Sequence, residues 1–278
     1  MLGEYSAAMI RKAVLNADEP AAPDAGIPVP VRPPVMCAGC PHRGTFYVLK
    51  KLGLTVCGDI GCYTLGATPP LSSIDTTICM GASIGAALGM RKARGPEFAK
   101  KLVSVIGDST FIHSGITGLI DVVYNKGINT VIILDNSITG MTGHQDNPTT
   151  GKTIRGEATK QVDLELLAKA VGIDRVRVVD PFDVKAMETA VKEETAADEP
   201  SLIIAQRPCA LLKYVKYTGH CRVNPDICRN CRVCMKLGCP ALTVREGRVV
   251  IDMTQCNGCG LCVNVCPFHA IEKEAEPV

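Results

Sequence analysis

The chain has 278 residues, a formal net charge of +2 and no tryptophan. This length is typical of about two domains, and so small a net charge gives no reason to expect nucleic acid or a membrane surface as a partner. The sequence contains neither the run of roughly 18 uncharged apolar residues that a membrane-spanning helix needs nor the N-terminal apolar run of a secretory signal. We therefore expect a cytoplasmic protein.

The N-terminal segment predicts a helix followed by a linker. Residues 1–16 are predicted to be helical, and residues 17–35 are rich in proline and alanine, as extended linkers are. A chain that opens in this way resembles the tail of a longer protein. We expect this segment (1–35) to come from a missing upstream part and to precede an α/β domain (36–215) and a small α+β domain (216–278).

Apolar runs and helical segments alternate in the middle of the chain. Strands are predicted at 54–58, 102–106, 130–135, 175–179 and 201–206, and helices at 81–91, 113–126, 163–171 and 183–196, with a polar loop from about 136 to 160. This α/β alternation indicates a doubly wound parallel sheet.

Polar residues follow two of these strands. Gly107, Asp108 and Ser109 end the strand at 102–106, and Asn136 ends the strand at 130–135. Ligands bind at the carboxyl ends of parallel strands, Asp and Asn oxygens suit Mg2+ that is shared with phosphate, and the helix after Gly107 offers N–H groups to an anion. Each feature alone also fits a turn or a helix cap, and together they also fit a plain nucleotide-binding sheet.

Two cysteine runs near the C-terminus carry the strongest pattern. They are Cys228-x2-Cys231-x2-Cys234-x4-Cys239-Pro240 and Cys256-x2-Cys259-x2-Cys262-x3-Cys266-Pro267. In two-cluster ferredoxins, three thiolates of such a run hold one [4Fe–4S] cluster and the fourth crosses over to the other cluster. The pattern therefore assigns one cluster to Cys228, Cys231, Cys234 and Cys266, and the other to Cys239, Cys256, Cys259 and Cys262.

The first run has one residue more than usual before its fourth cysteine, which affects the expected geometry rather than the identity of the site. The alternatives are a disulfide framework, which needs an oxidising compartment, and zinc, which suits a tetrahedral set of ligands better than paired CxxCxxC runs. Between the two runs, residues 242–252 predict a hairpin with Glu246 and Gly247 at the turn.

The interval from Gly107-Asp108-Ser109 to Asn136 resembles the thiamine diphosphate signature, with Ser109 in place of the usual third glycine. Four segments, at 32–47, 58–66, 107–115 and 139–148, together are similar to the large subunit of indolepyruvate ferredoxin oxidoreductase, a 2-oxoacid:ferredoxin oxidoreductase. The resemblance begins near Arg32. The family's subunit is longer, and its first part carries the pyrimidine-binding domain with the glutamate that activates thiamine.

The resemblance implies a set of cofactor contacts. Asp108, Asn136 and the backbone carbonyl of Ile138 would hold Mg2+. The remaining residues implied to contact thiamine diphosphate are Gly81, Ser83, Gly107, Ser109, Gly140, Met141 and Thr142. Two histidines in the matching segments, His42 and His113, are candidates for steering protons, and a hydrogen-bonded structural role is the alternative for each.

The resemblance also implies a third [4Fe–4S] cluster beside the thiamine ring. Its ligands would be Cys37, Cys40, Cys62 and Cys209. The alternative for the Cys37-x2-Cys40 pair is a redox dithiol or half of a zinc site. Three cysteines remain, Cys57, Cys79 and Cys221, and are expected to be packing residues or free thiols.

The implied function is oxidative decarboxylation of an aryl 2-oxoacid to an acyl-coenzyme A and CO2, with electrons passed to ferredoxin. The implied partners are the missing pyrimidine-binding domain or subunit, a small (beta) subunit and a soluble ferredoxin, in a hetero-oligomer. The alternatives are another 2-oxoacid:ferredoxin oxidoreductase, a non-oxidative thiamine decarboxylase, and an electron-transfer subunit whose α/β domain only docks a partner. The ferredoxin cysteines argue against the decarboxylase.

Overall fold

The computed structural model describes residues 5–18, 26–28, 30–31 and 33–274. It divides the chain into two compact units, Met1–Pro34 and Val35–Val278. In the first unit, helix α1 (Ala7–Leu15) begins where Ser6 Oγ accepts a hydrogen bond from the N–H of Met9, and it ends at Asn16 in the left-handed conformation. The predicted helix is therefore too long at both ends. Residues 1–4 and parts of the predicted linker (19–25, 29 and 32) lie outside the described residues.

The second unit contains a six-stranded sheet in which every pairing is parallel. Its strands are β1 (Thr55–Gly58), β2 (Thr76–Thr77), β3 (Leu102–Gly107), β4 (Thr130–Asp135), β5 (Arg175–Val179) and β6 (Ser201–Gln206). Their order is β2-β1-β3-β4-β6-β5. The doubly wound parallel sheet predicted from the sequence is confirmed.

Helices cover both faces of this sheet. They are α2 (His42–Leu52), α3 (Ser83–Arg94), α4 (Pro96–Ala99), α5 (Asp108–Thr110), α6 (Ile116–Tyr124), α7 (Leu164–Ala170), α8 (Val184–Thr195) and, further along, α9 (Leu261–Val265). A π-helical turn, Phe111–Gly115, joins α5 to α6, and 3-10 turns span Cys62–Ala67 and Val233–Leu237. None of the helices among the described residues is both long and apolar enough to span a bilayer.

Helix ends are where the sequence prediction was least accurate. α3 starts two residues later than predicted and runs on to Arg94, and the helix predicted at 113–126 starts at Asp108, directly after β3, and ends at Tyr124. α7 and α8 each begin one residue later than predicted because Asp163 and Asp183 cap them, with side chains that accept hydrogen bonds from the N–H groups of Glu165 and Leu166 and of Ala186, respectively.

Alternate residues of the central strands pack into two cores. On β4, Ile132 and Leu134 face the core that contains residues of α2 and α8, whereas Val131 and Ile133 face the core that contains residues of α3, α6 and α7. Successive side chains of a strand point to opposite faces, so a strand covered on both sides is a continuous apolar run. All six residues of β4 are buried.

The cysteine-rich C-terminal region packs on the α2 and α8 face of the same sheet. Its strands form two antiparallel pairs, β7 (His220–Val223) with β10 (Ile271–Glu274) and β8 (Leu242–Arg245) with β9 (Arg248–Ile251). The β8–β9 hairpin turns at the two predicted residues, both at positive φ. Leu237, Leu261 and Val265 share one core with residues of the α/β sheet. The boundary placed between residues 215 and 216 remains a prediction.

Candidate functional site

A cavity of about 150 Å3 lies at the carboxyl ends of β3 and β4. Most of the cofactor-binding residues expected from the sequence line it, together with both candidate histidines. These lining residues are His42, Gly107, Asp108, Ser109, His113, Asn136, Ile138, Gly140, Met141 and Thr142. β3 and β4 are neighbours, with Gly107 opposite Leu134, so the residues that follow them meet at one edge of the sheet.

Asp108 is a buried carboxylate in this cavity. Its side chain is 2% exposed, and its Oδ2 accepts hydrogen bonds from Thr149 Oγ1 at 3.3 Å and Asn147 Nδ2 at 3.5 Å. Burial, with the nearby charge of Asp135, raises the pKa of Asp108 to about 7. Since the ion pairs of the described residues include none to Asp108, a bound cation would supply the missing countercharge.

Asn136 stands next to this carboxylate at the end of β4. Its Oδ1 accepts a hydrogen bond from the N–H of Ile138 at 3.3 Å, and its Nδ2 lies 3.4 Å from Nε2 of His42. Ser137, at a φ of 59°, turns the chain so that Ile138 lines the cavity too. The Asn136 side chain and the turned backbone at Ile138 therefore line the same cavity as buried Asp108, which fits a Mg2+ ion that also binds phosphate.

Asp59 directly precedes two residues that line the cavity, Ile60 and Gly61, and the sequence reasoning gave it no role. Its fully buried carboxylate accepts hydrogen bonds from the N–H groups of Gly81 at 2.8 Å and Ser83 at 3.0 Å. Gly81 and Ser83 were expected beside the cofactor but do not line the cavity. Their hydrogen bonds to Asp59 hold the start of α3 in place. Gly81 has a φ of +84°, and a Cβ there would lie 2.5 Å from Ser114 Oγ.

The two candidate histidines sit in different surroundings. His42 is 3% exposed, and burial lowers the pKa of its ring to about 4, so it is neutral at pH 7. His113 is in the π-helical turn, with Nδ1 2.9 Å from Ser114 Oγ. Both residues line the cavity, and His113, unlike buried His42, is exposed.

The structure brings Cys37, Cys40, Cys62 and Cys209 together from three separate segments. Burial raises the pKa of Cys40 to about 12, and the thiols of Cys37 and Cys209 add to this effect. Burial likewise raises the pKa of Cys62, with contributions from Cys209 and Cys37. Cys62 also lines the cavity that holds Asp108, so this group of thiols borders the candidate magnesium site.

The eight cysteines of the C-terminal runs surround two separate small cavities. One is lined by Cys228, Cys231, Cys234 and Cys266. The other is lined by Cys239, Cys256, Cys259 and Cys262, and also by Cys221. In each cavity the fourth cysteine of one run joins the first three of the other, which is the crossover expected from the sequence. Among the described residues no three His, Cys, Asp or Glu side chains are arranged for a single metal ion, so the cluster assignments rest on these shared cavities.

Three cysteines were left over by the motifs. Cys57 is buried on β1, with its sulfur 3.6 Å from the Met90 sulfur, and Cys79 is exposed. Cys221 is different because its N–H donates a 3.3 Å hydrogen bond to Cys256 Sγ and it lines the second cavity. A single cysteine on a strand, with no CxxC partner, gave no signal of this in the sequence.

Comparisons with known proteins agree with this geometry. Residues 59–205 match the model of the thiamine pyrophosphate enzymes, C-terminal TPP binding domain, and residues 249–272 match the 4Fe-4S binding domain. A 2-oxoglutarate:ferredoxin oxidoreductase from Magnetococcus marinus has a similar fold, with a TM-score of 0.56 at 18% identity over 66% of this chain and 67% of that chain.

Curated relatives extend the match to most of the chain. The indolepyruvate oxidoreductase subunit IorA of Pyrococcus abyssi is 41% identical over 89% of this chain and 42% of its own length. The IorA subunit of Archaeoglobus fulgidus is 41% identical over 87% of this chain and 40% of its own length. The chain thus spans about two fifths of the length of these relatives. It belongs to the thiamine pyrophosphate enzymes and, among them, to the family of the indolepyruvate oxidoreductase subunit IorA.

Proposed function

We propose that this chain supplies the diphosphate-binding and electron-transfer parts of a 2-oxoacid:ferredoxin oxidoreductase. Its substrate would be an aryl 2-oxoacid such as indolepyruvate, with coenzyme A as the acyl acceptor and a soluble ferredoxin as the electron acceptor. The observation that carries this proposal is the shared cavity, because Asp108, buried without a countercharge, and Cys62, one of four grouped thiols, both line it. An electron donor and an electron acceptor would then be neighbours.

Different residues would hold the metal ion and the diphosphate of the cofactor. Asp108, Asn136 and the carbonyl of Ile138 would bind Mg2+, and the loop to Thr142 would enclose the diphosphate. Bound thiamine diphosphate supplies the carbon nucleophile for decarboxylation and the electrons that follow. Neutral His42 keeps the Asn136 amide in place, and His113 is the residue in this cavity placed to exchange a proton with the substrate.

Electrons would leave through three [4Fe–4S] clusters. Cys37, Cys40, Cys62 and Cys209 would hold the cluster nearest the thiamine, and the two groups of C-terminal thiols would hold the others. Reduced thiols and such clusters suit a reducing cytoplasm. The pyrimidine-binding domain and the small (beta) subunit would complete the enzyme as a hetero-oligomer, since the curated relatives are more than twice as long as the part matched here.

Two other functions are testable against this one. Another 2-oxoacid could be bound by the same residues. The enzyme of similar fold has 2-oxoglutarate, coenzyme A and succinyl-CoA bound, so 2-oxoglutarate is the comparison substrate. A domain that only docks a partner would not need a carboxylate buried at the strand ends without a countercharge, because burying such a group is costly. Asp108 therefore favours the enzyme.

The decisive experiment combines binding and turnover. The chain, loaded with iron and sulfide under anaerobic conditions, is titrated with thiamine diphosphate with and without Mg2+. It is then assayed with the upstream part of an IorA subunit and the small subunit, using indolepyruvate or 2-oxoglutarate and coenzyme A. We expect thiamine diphosphate binding to depend on Mg2+, to be abolished in Asp108→Asn and to be kept in the control Asp121→Asn, which lies on the exposed side of α6. Acyl-coenzyme A formation should be faster with indolepyruvate than with 2-oxoglutarate. Absence of thiamine diphosphate binding by the assembled enzyme would support the docking alternative.

A further inference from the structure

Arg43 is a buried cation whose hydrogen-bond partners are backbone carbonyls. Arg43 is 2% exposed. Nε donates to the carbonyl oxygen of Cys37 at 3.0 Å, Nη1 donates to that of Leu237 at 2.9 Å, and Nη2 donates to that of Met36. No carboxylate pairs with Arg43 among the ion pairs of residues 33–274. A guanidinium stays charged, and leaving such a charge buried without a countercharge is costly.

The groups that could balance this charge are thiols from two different sets. Burial lowers the pKa of Arg43, and the opposing influence comes from the thiols of Cys40, Cys239, Cys37 and Cys259. Cys37 and Cys40 belong to the set beside the thiamine cavity. Cys239 and Cys259 line the second C-terminal cavity, and the Arg43 side chain lines it with them. Arg43 therefore lies between two sets of thiols.

The surrounding backbone fixes the guanidinium at this position. Two of the carbonyls that it binds, those of Met36 and Cys37, lie at the start of the Cys37–Cys40 loop, and the third, that of Leu237, lies two residues before Cys239. A Cβ on Gly238 would lie 3.3 Å from Nη1, so a larger residue there would crowd the arginine. The side chain thus joins a segment of the α/β domain to a segment of the ferredoxin region, and its planar fork makes both connections at once.

We propose that Arg43 is the shared countercharge of two neighbouring iron–sulfur clusters, the one on Cys37, Cys40, Cys62 and Cys209 and the one on Cys239, Cys256, Cys259 and Cys262. The inference rests on the proposed clusters. A cluster with four thiolates is an anion that gains one more negative charge when it is reduced, so a nearby cation favours the reduced form. A single cation between two such clusters also weakens the repulsion between them, and electrons would pass between these two sites before they reach the Cys228 set.

The test is a redox titration, followed by EPR, of the full chain loaded with iron under anaerobic conditions. The variants are Arg43→Met, which removes the charge, and Arg43→Lys, which keeps it. Arg229→Met serves as the matched control, because Arg229 is exposed and lines the cavity of the Cys228 set. Iron content and urea unfolding are measured for every variant, so that loss of a cluster is distinguished from a change of its potential.

We expect Arg43→Met to make reduction of two of the three clusters less favourable by at least tenfold, which is about 59 mV for a one-electron couple. The third cluster should not shift, and Arg43→Lys should restore most of the change. If Arg43→Met cannot assemble these two clusters but Arg43→Lys can, the need for a positive charge is also supported. Unchanged cluster potentials in Arg43→Met, or cluster assembly that fails equally in Arg43→Lys, would overturn the proposal. Arg43 would then only hold the backbone through its hydrogen bonds to carbonyl oxygens.

The result that would contradict the proposed three clusters differs from the result that would contradict the role of Arg43. If the unaltered chain contains only two clusters, the third-cluster assignment is wrong, and Arg43 is then judged by the potential of the Cys239 set alone. A shift there in Arg43→Met, with no shift in the Cys228 set, would still support a countercharge, and the absence of a shift would reject it.

Discussion

The backbone N–H of Cys209 donates a 2.8 Å hydrogen bond to the carbonyl oxygen of Asn136. The bond continues the parallel pairing of β4 and β6, in which Asp135 lies opposite Gln206, beyond the ends of both strands. One of the four thiols next to the cavity is thereby tied to the backbone of a proposed magnesium ligand. If Cys209 holds the proposed cluster and Asn136 the proposed Mg2+, the first electron acceptor and the diphosphate site would therefore be neighbours.

The pKa of Asp108 predicts how magnesium binding depends on pH. In the metal-free protein this pKa is raised to about 7, so below pH 7 the carboxyl group holds a proton that Mg2+ must displace. The affinity for Mg2+ in the presence of thiamine diphosphate should be constant above about pH 7.5 and should fall below pH 7, by up to about tenfold per pH unit. Calorimetry between pH 6 and 8 measures this.

Asp135→Asn is the matched variant for that prediction. The charge of Asp135 is the second cause of the raised pKa of Asp108, and removing it should move the fall in affinity to a lower pH. An affinity for Mg2+ that is the same at pH 6 and pH 8 in the unaltered chain would show that Asp108 is already ionised or does not bind the metal.

Gly39 predicts a stability effect at the contact between the two cysteine loops. Its φ is +74°, and a Cβ would lie 2.4 Å from Nδ2 of Asn257, which itself donates a 3.1 Å hydrogen bond to the carbonyl oxygen of Ala38. Gly39→Ala should lose about 1–2 kcal/mol from the left-handed backbone and about 1–3 kcal/mol more from the overlap. Anaerobic urea unfolding at constant cluster content measures the loss.

Gly53→Ala is the control for backbone strain. Gly53 also has a positive φ, +64°, but a Cβ there meets nothing within 4 Å, so this variant should lose only the backbone contribution. The difference between the two variants should shrink when Asn257 is also changed to Ala, because the overlapping atom is gone. Equal losses in Gly39→Ala and Gly53→Ala would mean that the two loops are not in contact.

Ferredoxin is expected to dock beside the Cys228 set. Arg229, Arg232 and Lys236 are exposed around the first cysteine run, whereas Arg222 pairs with Glu274 at 3.3 Å. Reversing the charge of Arg229 and Arg232 should slow reduction of an acidic ferredoxin by the assembled enzyme about tenfold or more at low salt and should remove most of the salt dependence.

Lys169→Glu is the control. Lys169 is exposed on α7, and this substitution changes the net charge as much as one arginine reversal does, but on a different part of the fold. If the control slows ferredoxin reduction as much as each arginine reversal does, the effect comes from net charge and not from a docking surface. A rate in the unaltered enzyme that is flat from low to high salt would equally contradict this surface.

Much of the sheet could be predicted because its strands are continuous apolar runs between polar turns. β4 has the predicted bounds since Thr130 follows a glycine-containing turn and Asp135 precedes the polar loop. α2 could not be found in this way, because it begins at His42, inside a cysteine motif, and its N-terminus has no side-chain cap. The two-residue strand β2 is too short to give any periodic pattern.

The site could be predicted only where its residues belong to a motif. Asp108, Asn136 and the paired cysteine runs lie at characteristic spacings, so the sequence predicted them as candidates. Asp59, Arg43 and Cys221 owe their roles to partners far along the chain: Arg43 binds the carbonyl of Leu237, and Cys221 meets Cys256. The contacts of Arg43 and Cys221 depend on how the ferredoxin region packs, and those of Asp59 on where α3 begins; spacing along one chain encodes neither.

Iron content and EPR of Cys209→Ala test the central claim most directly, which is that thiols from three segments hold a third cluster beside the thiamine site. The unaltered chain, prepared anaerobically, should contain about 12 iron atoms, and Cys209→Ala about 8 or a three-iron remnant with a changed signal. Cys57→Ala, which removes a buried thiol outside the set, should keep the full complement. An unaltered chain with about 8 iron atoms, unchanged by Cys209→Ala, would contradict the account.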